Sequence, residues 1–245
     1  MGQNLFKSTA NNSHNDVQLS DEEYLYFEYI INPEHLDWRN GRTNNEEIIL
    51  LSKKQANMPV QINEYLYLSN AENAHKIEKL KERGITHVLN LGGPSAKIPD
   101  ETKYAENNIL ALNIDADDEE GYPMIKRHLE ECQSFVNKCK QVKDGKIVIH
   151  CHAGINRSGV IMAAVYMLDE KKNILDVVKH LRLCRGNACL WNESFVQQLI
   201  KLAASKGLLG PKPNINNDTV SKQKNAAAKV VKTKFNSEKL KSLFG

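Results

Sequence analysis

The chain has 245 residues, 41% of them hydrophobic, with 33 Lys and Arg against 30 Asp and Glu and a formal charge of +3. That length and apolar content supply one sizeable core with extensions rather than two domains. No run of eighteen apolar residues exists to form a transmembrane helix, and the N-terminus lacks an apolar signal region. Five cysteines without a CxxC pair argue against a disulfide scaffold or a zinc site and fit a reducing compartment.

The charge is uneven along the chain. Residues 1–58 carry five basic and nine acidic side chains and read as an acidic extension. After an Asn-rich start, Tyr24, Tyr26, Phe27, Tyr29, Ile30 and Ile31 predict a short added helix. Residues 59–207 read as the folded unit. Ala71–Arg83 is predicted as one helix, closed by Gly84 just beyond its C-terminus. Ile85–Asn90, Ile109–Ile114 and Lys146–His150 are predicted strands. Tyr122–Val142 is a predicted helix whose stripe Ile125, Leu129, Cys132, Val136, Cys139 has helical spacing and marks these cysteines as core. Ser158–Leu168 is apolar nearly all round, which predicts a buried central helix. Ile174–Cys184, with Cys184 and Cys189 flanking its end, and Glu193–Ala204 complete the helices. Strands separated by helices predict an α/β fold, with a mainly parallel central sheet flanked by helices. Residues 208–245 carry eight Lys and only Asp218 and Glu238. They open with Gly210-Pro211-Lys212-Pro213 and read as a basic, flexible tail.

The most informative segment is His150-Cys151-His152-Ala153-Gly154-Ile155-Asn156-Arg157-Ser158-Gly159, between the apolar runs Lys146–Ile149 and Val160–Val165. A strand feeds a tight loop and the loop feeds a helix, at a strand's carboxyl end where ligands bind in such sheets. Backbone N–H groups of such a loop, here His152, Ala153, Gly154, Ile155 and Asn156, form a concave anion site that the helix dipole reinforces. Arg157 can hold two phosphoryl oxygens with its planar fork. Cysteines at helix N-termini ionise at about 3.5–7.5, so Cys151 is expected to be a thiolate nucleophile toward phosphorus. Ser158 can donate a hydrogen bond to that sulfur and help it leave. Gly154 and Gly159 permit backbone angles that side chains would block.

This loop resembles the HCxxGxxRS signature of cysteine-dependent protein phosphatases, in the dual-specificity branch. Leu66–Ala71 resembles that family's opening strand and turn, Ile85–Asn90 its next core strand, and Trp191–Phe195 with Gln198-Leu199 its closing helix. The resemblance covers about residues 59–207. The acidic head, too short for a kinase-docking domain, is similar to that of the small, atypical members. Membership implies two-step hydrolysis of phosphotyrosine and phosphoserine or phosphothreonine in protein substrates, without metal or cofactor. It also implies a general acid some thirty residues before Cys151, within Asp115, Asp117, Asp118, Glu119 and Glu120. Alternation along Leu110–Ala116 puts Leu112, Ile114 and Ala116 on one face. The family pattern then selects Asp118, with Asp117 the runner-up. Asn192 resembles a family Asn that supports the phosphate loop, and an ordinary N-cap of the last helix fits equally. His150 is expected to be structural, packing beside the nucleophile and tuning its surroundings.

Other readings stay open. An RNA 5′-phosphatase shares such a loop, and the basic tail would suit RNA. However, those enzymes generally lack the usual acid, and nucleic acid is not the expected partner. A non-catalytic phosphoprotein-binding module is the alternative of another class, although such proteins usually lose the Cys or the Arg, and both are present. Localisation is expected to be cytoplasmic, with nuclear or peripheral membrane association as further readings. Met1-Gly2 begins like a myristoylation signal, but Phe6 replaces the preferred Ser or Thr. An acylated Gly2 with the basic tail would give weak membrane-surface contact, whereas an ordinary start and a free tail would give none.

Overall fold

The computed structural model describes residues 18–32, 53–54, 57–96 and 102–214. Gly2, the larger part of the acidic head and residues 215–245, on which the expectations about the termini rest, lie outside the described residues.

The sheet has five strands: β1 (Val60–Gln61), β2 (Leu66–Asn70), β3 (His87–Asn90), β4 (Leu110–Asn113) and β5 (Ile147–Cys151), in the order β1-β2-β5-β3-β4. Only β1 runs antiparallel to its neighbour. The three central strands are buried along their whole length, as expected where helices cover both faces of a parallel sheet. Alternate residues serve the two faces. Leu66, Leu68, Leu89, Ile147 and Ile149 face the larger core, and Tyr67, Val88 and Val148 face a smaller one with Leu80, Ile85, Tyr104 and Ile109. Helices α2 (Ala71–Ala74), α3 (Ile77–Glu82) and α4 (Thr102–Glu106) belong to the smaller side. The larger side holds α5 (Met124–Gln141), α6 (Arg157–Glu170), α7 (Ile174–Arg185) and α8 (Glu193–Ser205).

Helix α6 is buried continuously from Arg157 to Met167, matching its all-round apolar sequence. It packs against α5, α7 and α8. In α5, Cys132 and Cys139 are fully buried, and burial pushes their thiols up to about 12 and about 11. All five cysteines are free.

The predicted helix over 71–83 is two helices. Asn70 caps α2 by accepting the Asn73 N–H. Lys76 then leaves helical space, at φ −85 and ψ 88. The break lets the His75 ring stand edge-on to His150 at 5.7 Å, a tertiary contact that local propensity does not register. Gly84 closes α3 in the left-handed region, φ +68. The other predicted elements shift by one or two residues at their ends, and β5 reaches one residue further, to Cys151.

The aromatic segment of the head forms helix α1 (Asp21–Ile31), started by a reciprocal capping box between Ser20 and Glu23. It lies on α8, with Tyr26, Phe27 and Ile30 buried in the larger core. Lys201 of α8 donates to Glu23 at 2.7 Å, and the Tyr26 hydroxyl donates to the Gly210 carbonyl at 2.7 Å.

Candidate active site

The loop between β5 and α6 is held from outside. Ala71 N–H donates to the His152 carbonyl at 3.0 Å. Arg185 donates through Nη2 to Ala153 O at 2.9 Å and through Nε to Gly154 O at 3.0 Å. Leu190 N–H donates to Ile155 O at 3.1 Å. A trans peptide directs its C=O and N–H to opposite sides. Pinning four successive carbonyls outward therefore turns the following N–H groups, Ala153 to Asn156, toward the inside of the loop. This builds an anion cradle from main chain alone. Gly154 sits at φ +67, and a Cβ there would lie 2.3 Å from the Ser69 carbonyl oxygen, so the position admits no side chain.

Cys151, at the last position of β5, is 1% exposed, and the Ser158 hydroxyl donates to its Sγ at 3.2 Å. Arg157, the first residue of α6, is anchored by Nη1 to the carbonyls of Gly92 (3.2 Å) and Ala116 (3.0 Å). Its Nε is buried without a hydrogen-bond partner, 3.7 Å from Asp118 Oδ2. The guanidinium is thus fixed at one end and carries spare donor capacity at the other. His152 and Asp117 are exposed, and Ile155 is buried.

Asp118 is the acid that meets Arg157; among the described residues Asp117 makes no such pair. Ile114 and Ala116 are buried and Leu112 is half-buried, the same-face pattern expected of this segment. Asp115 lies over Gly93, where a Cβ would come 2.1 Å from its Oδ1. Asn192 combines both roles left open by its sequence. Its Oδ1 accepts the Phe195 N–H (3.2 Å) and caps α8, while its own N–H and that of Trp191 donate to Asn156 Oδ1 of the loop, each at 3.0 Å. Its Nδ2 is 3.5 Å from Asp118 Oδ1. His150 is fully buried beside Cys151, Nδ1 facing the Cys151 carbonyl at 3.3 Å, and burial pulls its imidazole down to about 3, so the ring is neutral.

Two buried arginines were not singled out by the sequence. Arg185 shapes the loop directly. Arg182 donates to Cys189 O (2.8 Å), Leu190 O (3.1 Å) and, across from α1, Ile30 O (2.9 Å). Burial pulls both guanidinium groups below their ordinary value. A signal existed: Arg182 and Arg185 follow Val178 and Leu181 by four residues, on the stripe that faces the core.

The site thus brings together a buried thiol, a hydroxyl donating to it, an inward amide cradle, a half-committed guanidinium and a carboxyl at its edge. These groups can bind a phosphoryl dianion, attack it and protonate a leaving oxygen.

Comparison with known proteins points the same way. The family described as dual specificity phosphatase, catalytic domain, matches residues 66–205. Dual specificity protein phosphatase 26 of Homo sapiens is 27% identical over 157 residues, covering 64% of this chain and 72% of the human protein. A probable rhodanese domain-containing dual specificity protein phosphatase of Dictyostelium discoideum is 32% identical over 142 residues, 56% of this chain and 27% of that protein. The crystal structure of DUSP15 superposes with a TM-score of 0.52 at 28% identity, covering 61% of this chain and 90% of the other.

Proposed function

Because the chain belongs to the dual-specificity phosphatase family through residues 66–205, we propose that it hydrolyses phosphotyrosine and phosphoserine or phosphothreonine in proteins through a phosphocysteine. The observation that carries this reading is the Ser158–Cys151–Arg157 constellation at the mouth of an amide cradle, with Asp118 at its edge.

In the first step Cys151 Sγ attacks phosphorus and the ester oxygen leaves, taking a proton from Asp118. Of the three non-ester oxygens, two face Arg157 and the third faces the amides of Ala153 to Asn156. In the second step Asp118 takes a proton from water, whose oxygen attacks phosphorus. Sγ leaves as a thiolate stabilised by the Ser158 hydroxyl, and inorganic phosphate is released. Asn192 and His150 support the loop without touching the reacting atoms. The RNA 5′-phosphatase and non-catalytic readings gain nothing from the family match.

The test is Cys151→Ser. It should abolish turnover of p-nitrophenyl phosphate and phosphopeptides while retaining vanadate binding, and chelators should not affect the wild type. Appreciable turnover by the Ser variant would exclude the phosphocysteine.

No helix among the described residues is long and apolar enough to cross a membrane. A cytoplasmic signalling role, and weak membrane contact through an acylated Gly2 and the basic tail, are further proposals. Intact mass of the N-terminal peptide and flotation on anionic liposomes, with and without residues 208–245, test them.

A further inference from the structure

The segment that carries Asp118 is a strap fixed at both ends by side chains of other elements. At its start, Ala116 is 2% exposed and its carbonyl accepts from Arg157 Nη1 at 3.0 Å. At its end, the Tyr122 carbonyl accepts from Gln198 Nε2 at 2.8 Å. Gln198 belongs to α8 and is 9% exposed. Its Oε1 accepts the Ile125 N–H at 3.1 Å. That N–H lies in the first turn of α5, where amides have no partner within the helix. The N-cap residue there is Pro123, which makes no side-chain cap. Gln198 therefore caps α5 from a different helix and grips the end of the strap with the same amide. A buried amide pays for any end left unmet, so these two partners fix which way it points.

Between the fixed ends, Asp117, Asp118, Glu119 and Glu120 are all exposed, and their like charges repel. One internal bond, from the Tyr122 N–H to the Glu119 carbonyl at 3.2 Å, folds the strap back. The contacts of Asp118 itself are long, 3.7 Å to Arg157 Nε and 3.5 Å to Asn192 Nδ2. A general acid must nevertheless stay within hydrogen-bond reach of the leaving oxygen. The place of Asp118 is thus set more by the pinned main chain than by its own side-chain contacts.

We propose that Gln198 is a positioning residue for proton transfer: by holding the Tyr122 carbonyl and the Ile125 N–H, it keeps the strap drawn over the site with Asp118 at its edge. Gln198 touches no reacting atom. This deepens the phosphatase reading and rests on it, with Asp118 as the acid. Two neutral hydrogen bonds favour the pinned arrangement by the equivalent of about 5- to 150-fold in an equilibrium.

Gln198→Met keeps the length of the side chain and removes both bonds. Wild type, Gln198→Met, Asp118→Asn and the double variant are compared across phosphate monoesters of rising leaving-group pKa. Gln198→Met should lower kcat by about 5- to 150-fold on the poorest leaving groups and progressively less on activated ones, with vanadate affinity unchanged. In the Asp118→Asn background it should cost nothing further, because the acid it positions is already gone. Hydrogen exchange gives a reading independent of turnover: residues 117–125 should exchange faster in Gln198→Met, and residues 151–158 at the wild-type rate. Gln198→Glu keeps the acceptor for Ile125 and loses the donor for Tyr122; it should show the same pattern at smaller size, and it replaces the Met variant if that one does not fold. The same loss on every ester, a full additional loss in the Asp118→Asn background, or wild-type exchange over residues 117–125 would overturn the proposal. A wild type that turns over no ester, or an Asp118→Asn variant as active as wild type, would instead count against the reading of the site, while the exchange comparison would still judge whether Gln198 holds the strap.

Discussion

Replacing Arg185 by Met should separate the stability of the fold from the competence of its phosphate loop. The guanidinium makes two charge-assisted bonds, to Ala153 O and Gly154 O. Such bonds contribute about 1.5–3 kcal/mol each, so the loop leans on about 3–6 kcal/mol of gross interaction. Against this stands the cost of a charge buried at 2% exposure with no carboxylate partner among the described residues. Met removes that cost and keeps most of the apolar stem, so global stability should change little. The two carbonyls, no longer pinned, are free to rotate, and the amides behind them lose their inward aim. Even the lower bound, about 3 kcal/mol, is about 10²-fold in rate if it is lost from the transition state. Arg185→Met should therefore lose about 10²-fold in kcat/KM on p-nitrophenyl phosphate and similarly in vanadate affinity, with a thermal midpoint close to wild type. Lys should rescue only partly, because an ammonium cannot present two donors as a rigid fork. Vanadate affinity within about threefold of wild type would refute the idea that Arg185 shapes the cradle.

Asp118→Asn should lower kcat by about 10²–10⁴-fold on esters with poor leaving groups and by much less on activated ones, a leaving-group series being the measurement; a larger loss from Asp117→Asn would move the acid by one residue. Gly154→Ala puts a Cβ 2.3 Å from Ser69 O, so the loop must shift by nearly an ångström, and turnover should fall by about 10²-fold or more while far-UV circular dichroism is unchanged. Burial pushes the Glu23 carboxyl up, but hydrogen bonds from Lys201 and Ser20 outweigh it and leave it below its ordinary value of 4.5. The pair therefore stabilises the docking of α1 above that value and stops doing so as pH falls through the folded one. Urea midpoints measured from neutral to acid pH should fall across that window in wild type and fall less in Lys201→Met.

Much of the site was legible because its signals are local. The strand–loop–helix order, the Cys151-to-Arg157 spacing and the apolar circumference of α6 all lie within one stretch of chain. Alternation together with the family pattern pointed to Asp118, the carboxyl that stands beside Arg157. What stayed hidden depends on partners far along the chain. Arg185 reads as one more cation at a helix end until the carbonyls of Ala153 and Gly154 arrive against it. His75 reads as helix interior until His150 stands beside it. Asn192 had two roles in its sequence because it performs two with different atoms: its side-chain oxygen caps the helix and its main-chain N–H meets the loop.

The bond from Arg182 to Ile30 O joins residues 152 positions apart, and the one from Tyr26 to Gly210 joins residues 184 apart. Chains are made from the N-terminus at about 5–20 residues per second. Helix α1 therefore emerges early but has nothing to lie on until α7 and α8 have followed, roughly ten seconds or more later at that pace. Through that interval its Tyr26, Phe27 and Ile30 face is uncovered, and the backing of the phosphate loop at Leu190 lacks the α1 end of its arginine bridge. Docking of this first helix is thus a late event in biogenesis. The phosphate-binding pocket is fully braced only after residues 193–210 have left the ribosome.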